Sequence, residues 1–200
     1  MIMKNSVKIL AFDADDTLWE NEPFFRAAEA IWAKSLEEYG EVESLSERLY
    51  EVEERNMPEF GYGAKPFGMN LLDATLEITE GKFETHHAKA ILEAVRSILV
   101  NPAKPLEGVE LTLRKIKASG KYKMVLITKG DLLDQENKIA RSGLGDCFDY
   151  IKIVSKKYQN SPRFSERVRI APKSGKKTGS KVLTIFWIKH IIGMYPIIGA

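Results

Sequence analysis

The chain reads as an α/β protein: a doubly wound (Rossmann-like) parallel sheet core with a block of α-helices inserted into it. Three observations predict this. Short apolar runs containing β-branched residues recur at 7–12, 122–127 and 148–154. Segments of helical periodicity separate them, at lengths that suit right-handed crossovers and a parallel sheet. Each run ends in polar residues, where strands of an open parallel sheet present ligand-binding groups.

The elements follow in order. Residues 7–12, Val-Lys-Ile-Leu-Ala-Phe, form the first strand and lead into Asp13-Ala14-Asp15-Asp16-Thr17-Leu18. Glu22-Pro23 opens a helix through residue 39, with Phe24, Phe25, Ala28, Ile31, Trp32 and Leu36 near helical spacing and Gly40 closing it. A second helix covers 44–55, a glycine-rich loop 60–68, a third helix 69–79 and a fourth 84–100. Asn101-Pro102 and Pro105 mark a linker. A helix over 107–119 precedes the second strand, which ends at Thr128-Lys129-Gly130-Asp131. A helix over 132–142, closed by Gly143, leads to the third strand, which ends at Ser155-Lys156-Lys157. The expected organisation is a core from residues 1–20 plus 101–158, a helical block at 21–100, and a divergent segment at 159–200.

Composition bounds the function classes. The 200 residues carry a net charge of +2, 10% aromatic residues and a single cysteine, Cys147. Aromatic content argues against disorder, and one cysteine excludes an intrachain disulfide and suits a reducing compartment. No secretory pattern opens the chain, so a cytoplasmic location is expected. Residues 1–150 hold 19 Lys/Arg and 27 Asp/Glu, a balance of −8, whereas residues 151–200 hold 11 and one, a balance of +10. A basic tail raises nucleic acid or anionic membrane as partners. The tail's apolar end is interrupted by Lys189 and His190, which makes a poor transmembrane helix, and neither partner is expected.

The acidic turn carries the chemistry. Asp13 and Asp15, spaced i and i+2 at a strand's carboxyl end, put both side chains on one side of the chain. Two carboxylates there repel unless a cation or a shared proton intervenes. The functional expectation is a metal-dependent site with one acid as nucleophile and the other as proton carrier. The structural alternative is a turn in which Asp and Thr cap the next helix. Topology brings Asp13, Asp15, Thr128 and Lys157 to one crevice, which favours the first.

These residues resemble the motifs of the haloacid dehalogenase-like superfamily. Asp13-Ala14-Asp15-Asp16-Thr17 resembles its first motif, Thr128 after Val125-Leu-Ile its second, and Lys157 its third, with Lys156 as the alternative. The helical block resembles that superfamily's small α-helical cap. The resemblance covers residues 6 to about 157. It implies Asp13 as nucleophile toward phosphorus, Asp15 as general acid then base, and Thr128 and Lys157 as ligands of the phosphoryl oxygens. It implies Asp16, Thr17, Lys129 and Gly130 as substrate-binding, and magnesium (Mg2+) held by Asp13 and Asp15 as cofactor. The expected partner is a small phosphorylated substrate. An acid two residues after the nucleophile favours phosphate ester hydrolysis over dehalogenation, because an alkoxide needs a proton on leaving and a halide does not.

The other candidates are weaker. Tyr62 and Lys65 of the glycine-rich loop either close over substrate or simply connect two helices. His86 and His87 are expected on a solvated helix face, and Trp19 and Trp32 as packing residues. A fourth motif would put an acid after a later strand. Residues 182–188 lie at a suitable distance for that strand but lead into Lys189-His190, and no acid follows Glu166. A shifted reading frame after about residue 158 would explain the abrupt change, and the nucleotide sequence tests it. The competing explanation is divergence into a catalytically impaired phosphate- or polyanion-binding protein.

Overall fold

The computed structural model describes residues 8–154 and 185–188. Its sheet has four parallel strands in the order β3-β2-β1-β4: β1 is Lys8–Phe12, β2 Tyr122–Lys129, β3 Tyr150–Val154 and β4 Ile185–Ile188. The described part of the expected fourth strand therefore lies beside β1, opposite β2. From β1 the chain builds outward through β2 to β3 on one side, and β4 joins on the other. The carboxyl end of β1 is thus the topological switch point, where open α/β sheets leave a crevice. Asp13 follows directly.

Strand β2 has five consecutive buried residues, Met124 to Thr128, as expected of a central strand covered on both faces. Alternation assigns its side chains. Phe12, Met124 and Leu126 pack with Leu113 and Ile139, while Ile9, Ala11, Val125 and Ile127 form a second cluster from the alternate positions. Leu113 belongs to α5 (Val109–Ala118) and Ile139 to α6 (Leu132–Ser142).

Between β1 and β2 run α1 (Glu22–Lys34), α2 (Val42–Phe60), α3 (Ala64–Ile78) and α4 (Thr85–Leu99). They share one apolar cluster that includes Trp32, Leu36, Leu49, Leu71, Ala94 and Ile98. Two of these helices exceed the expected bounds. Helix α2 continues through Pro58 because Arg55 and Asn56 tie its last turns to α3: Arg55 Nη2 lies 2.9 Å from Asp73 Oδ2 and Asn56 Nδ2 2.8 Å from the same oxygen. Helix α3 begins at Ala64, five residues early. Pro66 falls in its first turn, where a missing N–H costs nothing, so the expected loop shrinks to residues 61–63.

His87 corrects an expectation. It is fully buried, and its Nδ1 accepts the Glu84 N–H at 3.0 Å in a reciprocal capping box that starts α4. Burial, then His86 beside it, pushes its pKa down. Only His86 faces solvent. Among the described residues no helix is long and apolar enough to cross a membrane.

Candidate active site

The acidic turn is clamped from below. Ala14, Leu18 and Trp19 are buried, and the linker after α4 holds the turn: the Leu106 N–H donates to Leu18 O at 2.8 Å and Asn101 Nδ2 to Glu20 O at 3.1 Å. Asp16 takes a left-handed conformation with φ 55°, which Asp tolerates better than most residues. Its Oδ1 accepts the N–H groups of Asn21 (2.8 Å) and Glu22 (2.9 Å), and so satisfies two orphan donors at the start of α1.

A cavity of about 280 Å³ opens over this turn. Its sheet side is formed by Asp13, Asp15, Thr128, Lys129, Asp134, Gln135 and Lys138. Three of the expected substrate-binding residues do not line it. Asp16 is spent on the helix start, as the structural alternative had it. Thr17 closes the turn, its N–H donating to Ala14 O at 3.1 Å. Gly130 is required by the backbone, with φ 140°, and a Cβ there would stand 2.8 Å from Gln135 Nε2. Lys129 does line the cavity, its Nζ 5.3 Å from the Tyr62 ring centroid. Lys157, with the alternative Lys156, lies outside the described residues.

Thr128 is 1% exposed, and among the described residues its hydroxyl has no hydrogen-bond partner. A buried hydroxyl left unpaired costs about 1–3 kcal/mol. An incoming oxyanion in the cavity would remove that cost.

Both oxygens of the Asp15 carboxylate are hydrogen-bonded. Lys138 Nζ reaches both its oxygens at 2.8 Å, Trp19 Nε1 donates to Oδ1 at 2.9 Å, and Gln135 Nε2 to Oδ2 at 2.7 Å. Trp19 therefore does more than pack. Lys138, only 3% exposed at its side chain, also meets Asn21 Oδ1 at 3.0 Å and Asp134 Oδ2 at 3.5 Å. Burial pushes the Asp134 carboxyl up, the Lys138 ammonium offsets part of this, and Asp15 adds to it.

Sequence reasoning missed Asp134, Gln135 and Lys138. They lie on α6, whose N-terminus is capped by Asp131 Oδ1 accepting the Asp134 N–H at 3.1 Å. The available signal was polar spacing: Asp134 and Lys138 are i,i+4 with Gln135 between them, on one face.

The helical side of the cavity comprises Phe25 of α1, Glu53 and Met57 of α2, and Tyr62, Phe67 and Asn70 from the loop and α3. Lys65 does not line it. Its Nζ bridges to the Asp131 carboxylate at 3.1 Å, tying α3 to the loop after β2. Burial acts to raise the Asp131 carboxyl, but Lys65 and the Asp134 N–H outweigh it and hold the pKa below the usual value.

The donors for magnesium fit in kind. Asp13 offers a hard carboxylate at the strand end, with the Asp15 carbonyl two residues on. The Asp15 side chain is committed to Lys138. Among the described residues the one trio of metal-ligating side chains is Glu38, His86 and His87, on the helical segment. Magnesium accepts so low a protein donor count when waters and substrate phosphate complete its shell.

Comparison with known proteins follows the same lines. A family model for haloacid dehalogenase-like hydrolases matches residues 7–181. The crystal structure of a haloacid dehalogenase-like family hydrolase from Xanthomonas campestris is 38% identical with a TM-score of 0.72, over 82% of this chain and 66% of that one. A HAD-type hydrolase from Bacillus subtilis, described as bound to magnesium, is 19% identical with a TM-score of 0.46, over 75% and 64%. A 2-haloacid dehalogenase from Pseudomonas syringae is 21% identical at 0.48, over 74% and 64%. Those last two likenesses are too low to bear on chemistry. The chain spans just under two thirds of these proteins' lengths. No curated protein matches it. With a family model matching most of its length and 38% identity to the Xanthomonas campestris hydrolase, the chain belongs to the haloacid dehalogenase-like hydrolase family.

Proposed function

We propose that the chain hydrolyses a small phosphate monoester through an aspartyl-phosphate on Asp13. The observation that carries this is the cavity at the switch point lined by Asp13 and by Thr128, whose buried hydroxyl has no partner among the described residues. In the first half, an Asp13 oxygen attacks phosphorus, the ester P–O bond breaks, and a proton from Asp15 goes to the leaving alkoxide. In the second half, water attacks phosphorus, Asp15 takes its proton, and the Asp13–phosphorus bond breaks. The Thr128 O–H donates to a phosphoryl oxygen throughout, and Lys129 adds positive charge at the same wall. Lys157 is proposed for the same oxygens.

With both oxygens on the Lys138 ammonium, Asp15 is arranged as the base of the second half. To act as the acid of the first half it must turn from Lys138 toward the leaving oxygen. Magnesium held by the Asp13 carboxylate and the Asp15 carbonyl would neutralise charge on the transferring phosphoryl group. An acid at position 15 supports ester hydrolysis over dehalogenation.

Purified protein with magnesium and a generic aryl phosphate tests the proposal. Phosphate release that Asp13→Asn abolishes is expected. No release from a folded protein would favour the second reading, an impaired phosphate-binding protein, which Lys189-His190 in place of an acid directly after β4 supports.

A further inference from the structure

The helical wall of the cavity carries a charge that the chemistry above does not use. Glu53 of α2 lines the cavity and makes no ion pair among the described residues. Asn70 of α3, 4% exposed, lines the same wall, its Oδ1 accepting from Asn56 Nδ2 at 3.2 Å. Phe25, Met57 and Phe67 give that wall an apolar surface, with the Phe25 and Phe67 rings edge to face at 5.2 Å.

Among the described residues the charges around Glu53 do not balance. Glu29 and Glu22 of α1 act on it against a single described cation, Arg26. Arg26 is already engaged, 2.9 Å from Glu22 and 3.2 Å from Glu29. A half-buried acid in such a place is incomplete. An alcohol hydroxyl would satisfy a lone pair and leave the excess charge. A carboxylate on the ligand would worsen it. A ligand ammonium does both jobs, and aromatic walls suit a cation.

We infer that Glu53 selects phosphate monoesters whose alcohol carries an ammonium group. This rests on the hydrolase reading for the identity of the phosphoryl end. The cavity of about 280 Å³ sits at the small end of ligand sites, so the alcohol is short. Burial, with Glu29 and Glu22 beside it, pushes the Glu53 carboxyl up to about 7. An incoming cation draws it back down, so binding at neutral pH releases a proton.

The test compares ω-aminoalkyl phosphates of two to five carbons with n-alkyl phosphates of equal chain length in heavy atoms. The wild-type chain should favour the ammonium ester in KM by roughly ten- to a hundredfold, as one charged hydrogen bond allows. Glu53→Gln, close to isosteric, should collapse that ratio, and Glu53→Asp should keep part of it. Calorimetry on the Asp13→Asn variant, in buffers of differing ionisation enthalpy, should show proton release on binding the aminoalkyl ester that Glu53→Gln removes. Turnover of both series with equal KM, or a preference that survives Glu53→Gln, overturns the inference and leaves the hydrolase standing. Selective, Glu53-dependent binding with no phosphate release from any ester upholds the inference and overturns the hydrolase alone.

Discussion

The four-helix segment and the carboxyl end of the sheet both bury polar side chains, but they treat them differently. In the helices the partners are internal. Trp32 Nε1 donates to Thr75 Oγ1 at 2.8 Å, the Thr75 hydroxyl to Leu71 O at 2.6 Å, and Thr79 to Thr75 O at 2.8 Å. At the sheet end, Thr128 Oγ1, Asp134 Oδ1 and Gln135 Oε1 are buried without a partner among the described residues, against His87 Nε2 in the helices. Native proteins pair nearly all buried polar groups. A concentration of unpaired ones around a cavity therefore marks where a ligand completes the structure. The helical segment is self-sufficient, whereas the sheet end is complementary to something else.

Substitutions on the two sides should separate chemistry from stability. Asp13→Asn is expected to cut phosphate release by at least about a thousandfold, with circular dichroism unchanged. Leu71→Ala in the helical cluster should cost about 3 kcal/mol in denaturant unfolding and leave the turnover of the folded fraction within about tenfold. If the two results exchange places, the contrast between the regions is lost.

Lys138→Met comes next. It leaves Asp15 and Asp134 facing one another with no ammonium between them, and removing one partner of a buried pair costs about 3–5 kcal/mol. Adding Asp15→Asn should recover part of that loss, which a double-mutant cycle by urea unfolding would measure.

Glu53 gives a smaller and pH-dependent effect. Its folded pKa of about 7 stands above the ordinary value of 4.5, so the folded state holds the extra proton. Its contribution is full below pH 4.5 and is lost as pH rises through about 7. Glu53→Gln should flatten the fall in stability over that window and leave the variant about 2 kcal/mol more stable than wild type at pH 8. A wild-type curve with no such slope would remove the charge argument.

The Lys65–Asp131 bridge between the regions should matter least. Both groups are partly solvated, so Lys65→Ala should cost under about 1 kcal/mol, and less as salt is added.

What the sequence disclosed follows the same division. Strand ends and the bounds of α6 were legible, because apolar runs and glycine stops are local signals. That Asp13 and Thr128 line one cavity was legible because strands deliver them to a topologically fixed edge. The inward face of α6 was not legible. Periodicity assigns apolar residues to the inside, yet here Asp134, Gln135 and Lys138 are buried while Leu132 and Leu133 are 60% and 58% exposed. The helix lines a charged site, which reverses the usual rule. The helix-starting role of Asp16 was not legible for a related reason: turn acids that bind ligand and turn acids that start a helix look alike until the N–H donors of Asn21 and Glu22 are in view. His87 was buried by its capping role, which no apolar spacing announces.

Acid quench during turnover, followed by mass analysis of the peptide containing Asp13, tests the central claim most directly. The account predicts a peptide heavier by one phosphoryl group, absent from Asp13→Asn. In heavy-oxygen water under single turnover, the label should leave in inorganic phosphate, because water attacks phosphorus. Label entering the Asp13 carboxyl instead would mean attack at carbon, the chemistry of a haloacid ester, and would contradict the phosphatase account.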